Sequence, residues 1–144
     1  MKLEIELRNP KAVDPMKSRE HDTDTGFDLT AISISKWFTQ EVALFDTGIA
    51  VEPEEGYYID VVPRSSMSKL GVSLANSVGV IDHHYRGTIH LPIRFHERLV
   101  NPDSLIGKRL CQMVVRELII PEIAIVNSLS TTKRGSGGFG STGQ

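Results

Sequence analysis

Gly79-Val-Ile-Asp-His-His-Tyr-Arg-Gly-Thr-Ile-His-Leu91 reads as two short strands joined by a polar turn. Val80 and Ile81 have the β-branched side chains that favour extended backbone, the chain turns from Asp82 to Tyr85, and strand-like sequence resumes at Thr88-Ile-His-Leu91. Such a pattern predicts a β-hairpin carrying a carboxylate and an aromatic ring at its turn. The same texture fills the rest of the chain. Leu3-Glu-Ile-Glu-Leu7 alternates apolar and charged side chains, as a half-buried strand does. Similar runs lie at 48–51, 57–62, 88–95, 108–117 and 119–126, with Pro, Gly or Asn-Pro between many of them. Amphipathic helical patterning is scarce, the best candidate being one or two turns at Ser65–Lys69, just after Pro63. The expected fold is therefore all-β, a jelly-roll-like sandwich.

The chain has 144 residues, enough for one domain with a real core. A β-sandwich domain is expected over residues 1–126, followed by a tail, 127–144, that opens at Asn127-Ser-Leu-Ser-Thr-Thr-Lys133. Net charge is −2 with both signs interspersed, which argues against a dedicated nucleic-acid binder. The lone Cys111 excludes an intramolecular disulfide framework and a cysteine-cluster zinc site. Its apolar neighbours favour packing over nucleophilic chemistry. No signal peptide and no apolar run of membrane-spanning length is read, so the expectation is a soluble, cytoplasmic protein without membrane contact.

Four stretches carry chemistry. In the first, a carboxylate such as that of Asp82 is ionised at neutral pH and can take a proton from water. Tyr85 beside it can pack on a sugar and exclude a 2′-hydroxyl. Equally, Asp82 serves as an ordinary turn residue and Tyr85 as an ordinary strand residue. Pro63-Arg-Ser-Ser66 puts a cation and two hydroxyls at a helix start, a natural place for an anion, although serine there is more often only a cap. In Gly107-Lys-Arg-Leu-Cys-Gln-Met113, Gln112 can offer its amide to a phosphate or simply face solvent. Thr25-Gly-Phe-Asp-Leu29 places Asp28 in a glycine-containing turn, where it caps the turn or reaches a magnesium ion through water.

The tail adds a fifth. Arg134-Gly-Ser-Gly-Gly-Phe-Gly-Ser-Thr-Gly143 holds one guanidinium, one ring and otherwise Gly, Ser and Thr. Fixing such backbone costs about 1–2 kcal/mol per residue, so it is expected to be mobile until something binds. Its side chains suit a nucleoside triphosphate: Arg134 for phosphate oxygens, Phe139 for the face of a base. A merely flexible Gly/Ser-rich tail is the alternative.

In order, Gly26-Phe-Asp-Leu29, Pro63-Arg-Ser-Ser66, residues 79–87, Gly107-Lys-Arg-Leu-Cys-Gln112 and residues 134–143 resemble the five motifs of trimeric deoxyuridine triphosphate nucleotidohydrolases, the dUTPases. The resemblance spans nearly the whole chain. It implies a homotrimer of jelly-roll subunits with a mobile C-terminal arm, each arm closing over a neighbouring subunit's site. The implied reaction converts dUTP and water to dUMP and pyrophosphate with magnesium on the triphosphate, which limits uracil in DNA and supplies dUMP for thymidylate synthesis.

The resemblance also implies residue roles. Asp82 would be the base that activates water, and Tyr85 would pack on deoxyribose. Asn76 and the backbone at Gly79, Val80, Ile81 and His90 would read uracil. Arg64, Ser65, Ser66 and Gln112 would hold the phosphate chain, with Asp28 reaching Mg2+ through water. Arg134, assisted near Gly140 and Ser141, would meet the γ-phosphate, and Phe139 would cover the base. The chain departs from the family pattern at His83-His84, at Ser66 where Gly is common, and at Thr25 where Ala is usual.

A deoxycytidine triphosphate deaminase is the nearest enzymatic alternative, but Pro92 stands about where that branch needs an acid. A nucleotide-responsive regulatory binding protein is the other, although no inserted segment marks a surface for a regulatory partner. If the chain were viral or from a phage, the compartment would be the host-cell cytoplasm.

Overall fold

Alternation decides which side chains are buried. Ile59 and Val61, Leu91 and Ile93, and Val72 and Leu74 lie in the core, while the residues between each pair remain partly exposed. In the computed structural model, residues 1–144 are described apart from Leu99, Thr142 and Gln144. The strands are β1 (Leu3–Leu7), β2 (Phe27–Thr30), β3 (Ser33–Trp37), β4 (Val42–Asp46) and β5 (Ile49–Pro53). They continue with β6 (Tyr57–Pro63), β7 (Val72–Leu74), β8 (Gly79–Ile81), β9 (His90–Phe95) and β10 (Arg109–Glu117). Helical structure among the described residues is confined to short 3-10 turns, one of them at Ser65–Lys69 as expected. No helix is long and apolar enough to cross a membrane.

Two antiparallel four-stranded sheets, β2-β10-β6-β8 and β3-β4-β9-β7, contribute the core, and β1 pairs with β5 in a third, two-stranded sheet. Leu29, Ile59, Leu110 and Met113 from the first sheet meet Phe45, Leu91 and Ile93 from the second in one buried cluster. The all-β sandwich is therefore as the sequence implies. Cys111 is buried within that cluster, and desolvation pushes its thiol up to about 12, so it packs and does not react.

Three expectations need correction. The 79–91 segment is not a hairpin: β8 pairs with β6, whereas β9 pairs with β4 and β7. The turn at 82–89 instead carries the chain from one sheet to the other. Residues 25–29 are not a turn throughout, since Phe27 already begins β2. Residues 119–126 form no strand, because beyond Leu118, whose amide donates to Gly56 O at 2.8 Å, they have no neighbouring strand to pair with. Their apolar side chains stand in solvent, Ile119, Ile120, Ile123 and Ile125 each at least 80% exposed.

The crossing of sheets is secured by a buried threonine. Thr47, fully buried, donates its Oγ to Ile89 O at 2.7 Å and accepts from Ile49 N at 3.3 Å. Its own amide donates to the same Ile89 carbonyl at 3.2 Å, and Ile89 N returns a bond to Ile49 O at 2.7 Å. Thr47→Val keeps the shape and removes the hydroxyl, leaving the Ile49 amide short of a partner. We expect a loss of about 1–3 kcal/mol in denaturant unfolding.

Candidate active site

Strand order brings the first group of candidate residues together. β10 lies between β2 and β6, and Gln112 is the cross-strand partner of both Asp28 and Val62. Arg64 follows directly on β6, its amide donating to Leu110 O at 3.0 Å. The result is a polar cleft of about 280 Å3 lined by Asp28, Arg64, Ser65 and Gln112. Ser66 lies next to Ser65 in the same helical turn, its side chain exposed. Gln112 donates Nε2 to Pro63 O at 3.3 Å, which turns the amide along the cleft wall. Gly26 makes that pose possible: a Cβ there would stand 2.1 Å from Gln112 Oε1.

The cleft holds two arginines that sequence reasoning did not single out. Arg109 donates to Asp28 Oδ2 at 3.2 Å and to Ser18 O at 3.4 Å. Arg64 Nε takes the other oxygen, Asp28 Oδ1, at 2.8 Å. Arg19 lies 4.8 Å over the Phe27 ring and donates to the carbonyls of Asp22 and Asp24, each at 2.7 Å. A signal for Arg109 existed in the motif itself, but strict alternation sets residues 109 and 112 on opposite faces. A register shift between Arg109 and Cys111 re-aims the arginine. Arg19 gave no periodic signal, lying in a turn-rich loop.

Both Asp28 oxygens are thus engaged by guanidinium groups, and its side chain is only 13% exposed. A carboxylate has about four acceptor sites, so two remain for a water on a bound cation. Among the described residues no group of three or more His, Cys, Asp or Glu is arranged to hold a metal ion. The donor set fits a magnesium ion carried by a phosphate ligand and touched through water, not a metal caged by protein side chains.

A second, smaller cavity of about 190 Å3 is lined by Val80, Ile81, Asp82, Tyr85, Thr88 and His90. Asp82 is exposed, and its carbonyl accepts from Tyr85 N at 2.9 Å to close the turn. Tyr85 folds back over Gly87, where a Cβ would lie 2.3 Å from the phenol oxygen, and donates to Thr88 O at 2.9 Å. β8 is an edge strand, so among the described residues the outer N–H and C=O groups of Gly79–Ile81 have no strand partner. Asn76 stands beside that edge; a Cβ on Gly79 would come within 3.3 Å of its amide nitrogen. Ser77, at a φ of 63°, makes the tight turn between them.

None of the described tail residues lines either cavity. Arg134 Nε donates to Gly137 O at 2.8 Å, and Gly138 N donates to Ser141 Oγ at 2.8 Å, both bonds running within the segment. Phe139 is fully exposed at a φ of 52°, followed by Gly140 at 84°. Thr142 of this motif lies outside the described residues. Of the expected site, Asp28, Arg64, Ser65 and Gln112 line one cleft and Val80, Ile81, Asp82, Tyr85 and His90 line the other, while Ser66, Asn76 and Gly79 stand outside both linings. Arg134, Phe139, Gly140 and Ser141 stay apart from both.

A family model described as dUTPase matches residues 13–143 of this chain. Two proteins named deoxyuridine 5'-triphosphate nucleotidohydrolase are similar over its full length. The one from Picosynechococcus sp. is 37% identical over 99% of this chain and 99% of its own, and that from Nautilia profundicola is 38% identical over 100% of each. Among solved structures, a Staphylococcus bacteriophage 80alpha dUTPase with dUPNHPP is similar at a TM-score of 0.80 and 25% identity, covering 99% of both chains.

The glycine contact gives a test of the first cleft. Gly26→Ala drives a methyl into Gln112 and forces that side chain off the wall. Titration with magnesium pyrophosphate should show affinity falling about tenfold or more, with the melting temperature little changed.

Proposed function

The chain belongs to the dUTPase family and is an enzyme of that family; from this we propose that it hydrolyses dUTP to dUMP and pyrophosphate with Asp82 as the base. The observation that carries the assignment is the second cavity, where Asp82, Tyr85 and the free edge of β8 line one space. An unpaired strand edge offers alternating donors and acceptors, the complement of a uracil edge. Cytosine would set an amino group against a backbone donor, and each mismatched buried group costs about 1–3 kcal/mol. Asn76, Gly79, Val80, Ile81 and the His90 backbone read the base, and Tyr85 packs on the sugar where a 2′-hydroxyl would collide.

Asp82 takes a proton from water, the water oxygen attacks the α-phosphorus, and the bond from that phosphorus to the α,β-bridging oxygen breaks. Pyrophosphate departs with the bond's electrons. Arg64, Ser65, Ser66 and Gln112 hold the phosphate chain. Asp28 would hold a magnesium ion carried on the triphosphate through one of its waters, and that ion would offset the charge of the phosphates.

Residues 1–126 form the catalytic domain and 127–144 the lid. Phe139 then lies over uracil and Arg134 meets the γ-phosphate, with Gly140 and Ser141 assisting; water leaves the site and each electrostatic contact strengthens. None of the described tail residues lines either cavity of its own chain, which supports a lid that closes over a neighbour's site in a homotrimer. The isoleucines exposed at 119–125 support that assembly, since each buried apolar side chain contributes roughly 1.5–3 kcal/mol. We place the enzyme in the cytoplasm, or the host-cell cytoplasm if its source is a virus or phage. There it would limit uracil in DNA and supply dUMP for thymidylate synthesis.

Asp82→Asn should keep nucleotide binding while lowering turnover by about 10³-fold or more in a pyrophosphate-release assay. An Asn variant with wild-type turnover would remove Asp82 from its role. Deleting residues 134–144 should leave an assembled, folded protein with little activity. Sizing and circular dichroism separate that result from unfolding, which would make the tail structural.

A further inference from the structure

Two side chains in the second cavity donate to the same carbonyl. Tyr85 Oη lies 2.9 Å and His90 Nδ1 3.0 Å from Thr88 O. A carbonyl oxygen has two lone pairs and no proton, so both bonds form together and Nδ1 carries its hydrogen. Among the described residues the phenol makes no other hydrogen bond, and Tyr85 is 43% exposed. Where the ring stands therefore depends on where that carbonyl points.

The other ring nitrogen of His90, Nε2, lies 3.8 Å from Asp46 Oδ1, beyond hydrogen-bond reach, and Asp46 is its cross-strand partner between β4 and β9. The same Asp46 oxygen accepts from Gly48 N at 2.9 Å, which fixes the carboxylate in the turn after β4. Thr47, one residue on, grips Ile89 through two bonds to its carbonyl. Thr47 thus braces Ile89, and Ile89 and His90 follow directly on Thr88. His83 and His84 take no part; they stack edge to face at 4.7 Å, with His83 Nδ1 against Tyr57 O.

We propose that His90 is a positioning residue for Tyr85. It orients the Thr88 carbonyl on which the phenol is anchored, and so sets how closely the ring approaches the sugar's 2′ carbon. The side chain of His90 thereby governs discrimination between deoxyribo- and ribonucleotides, a role separate from any contact of its backbone with the base. The inference rests on the reading that Tyr85 packs on deoxyribose.

Full-length protein labelled with 13C at tyrosine Cζ, with Tyr85→Phe to assign the signal, reads the anchor directly without nucleotide. Titration with dUMP and with UMP reads the discrimination. His90→Ala should move the Tyr85 signal and reduce the preference for dUMP by about fivefold or more, the effect of roughly one hydrogen bond. His90→Asn, whose amide can donate to the same carbonyl, should restore both. A Tyr85 signal left in place by His90→Ala overturns the proposal, as does a moved signal with an unchanged preference. Wild-type protein that binds neither nucleotide would instead overturn the functional reading, while the signal still decides whether His90 positions Tyr85.

Discussion

Ile89 has its carbonyl held twice by Thr47 and its amide bound to Ile49, in a place no water reaches. Much of the site depends on that knot. Residues 82–89 leave one sheet and enter the other, and a crossing segment has no ladder of its own to keep it in register. Buried bonds at its far end supply the missing constraint. They are strong for the reason that makes losing them expensive: in a low-dielectric interior an unpaired polar group has nothing else to bind. With the end of the crossing fixed, the turn at Asp82–Tyr85 is tethered at both sides, and its carboxylate and ring keep one relation to the free edge of β8.

Charge sets the character of the other cleft. Arg19, Arg64 and Arg109 face Glu20, Asp24 and Asp28 around one space. Asp28 is the pivot, since it pairs with two of the three guanidinium groups at 2.8 and 3.2 Å. Any anion that enters the cleft meets arginines that already have an anionic partner, so it competes with Asp28 for them. The pairing keeps the guanidinium groups aligned.

Local pattern made much of this legible in the sequence. β1 and the Ser65–Lys69 turn lie where alternation and the proline put them, and the motif residues Asp28, Arg64 and Gln112 do converge. What escaped has physical causes. Val42-Ala-Leu-Phe-Asp46 is buried on most of its length, so it shows no alternation to read. The 79–91 stretch has the residues of a hairpin, but pairing is settled by tertiary partners: β6 outcompetes β9 for β8. At 119–126 the strand-forming side chains are real and only the neighbour is missing. Arg109 was hidden by a bulge, which breaks the two-residue period on which facing is judged.

The exposed isoleucines after β10 also bear on how the protein behaves when dilute. A segment with Ile119, Ile120, Ile123 and Ile125 in water is unstable against anything that covers it. In the proposed assembly the chain that covers it would enter the folding equilibrium as a reactant, so the midpoint of unfolding would move with protein concentration, as it does for any fold completed by a ligand. Newly made chains, few and far apart, would carry that segment uncovered for longest. The vulnerable interval would then be the time before chains meet, with adhesion through the segment, more than loss of the sandwich, as its hazard.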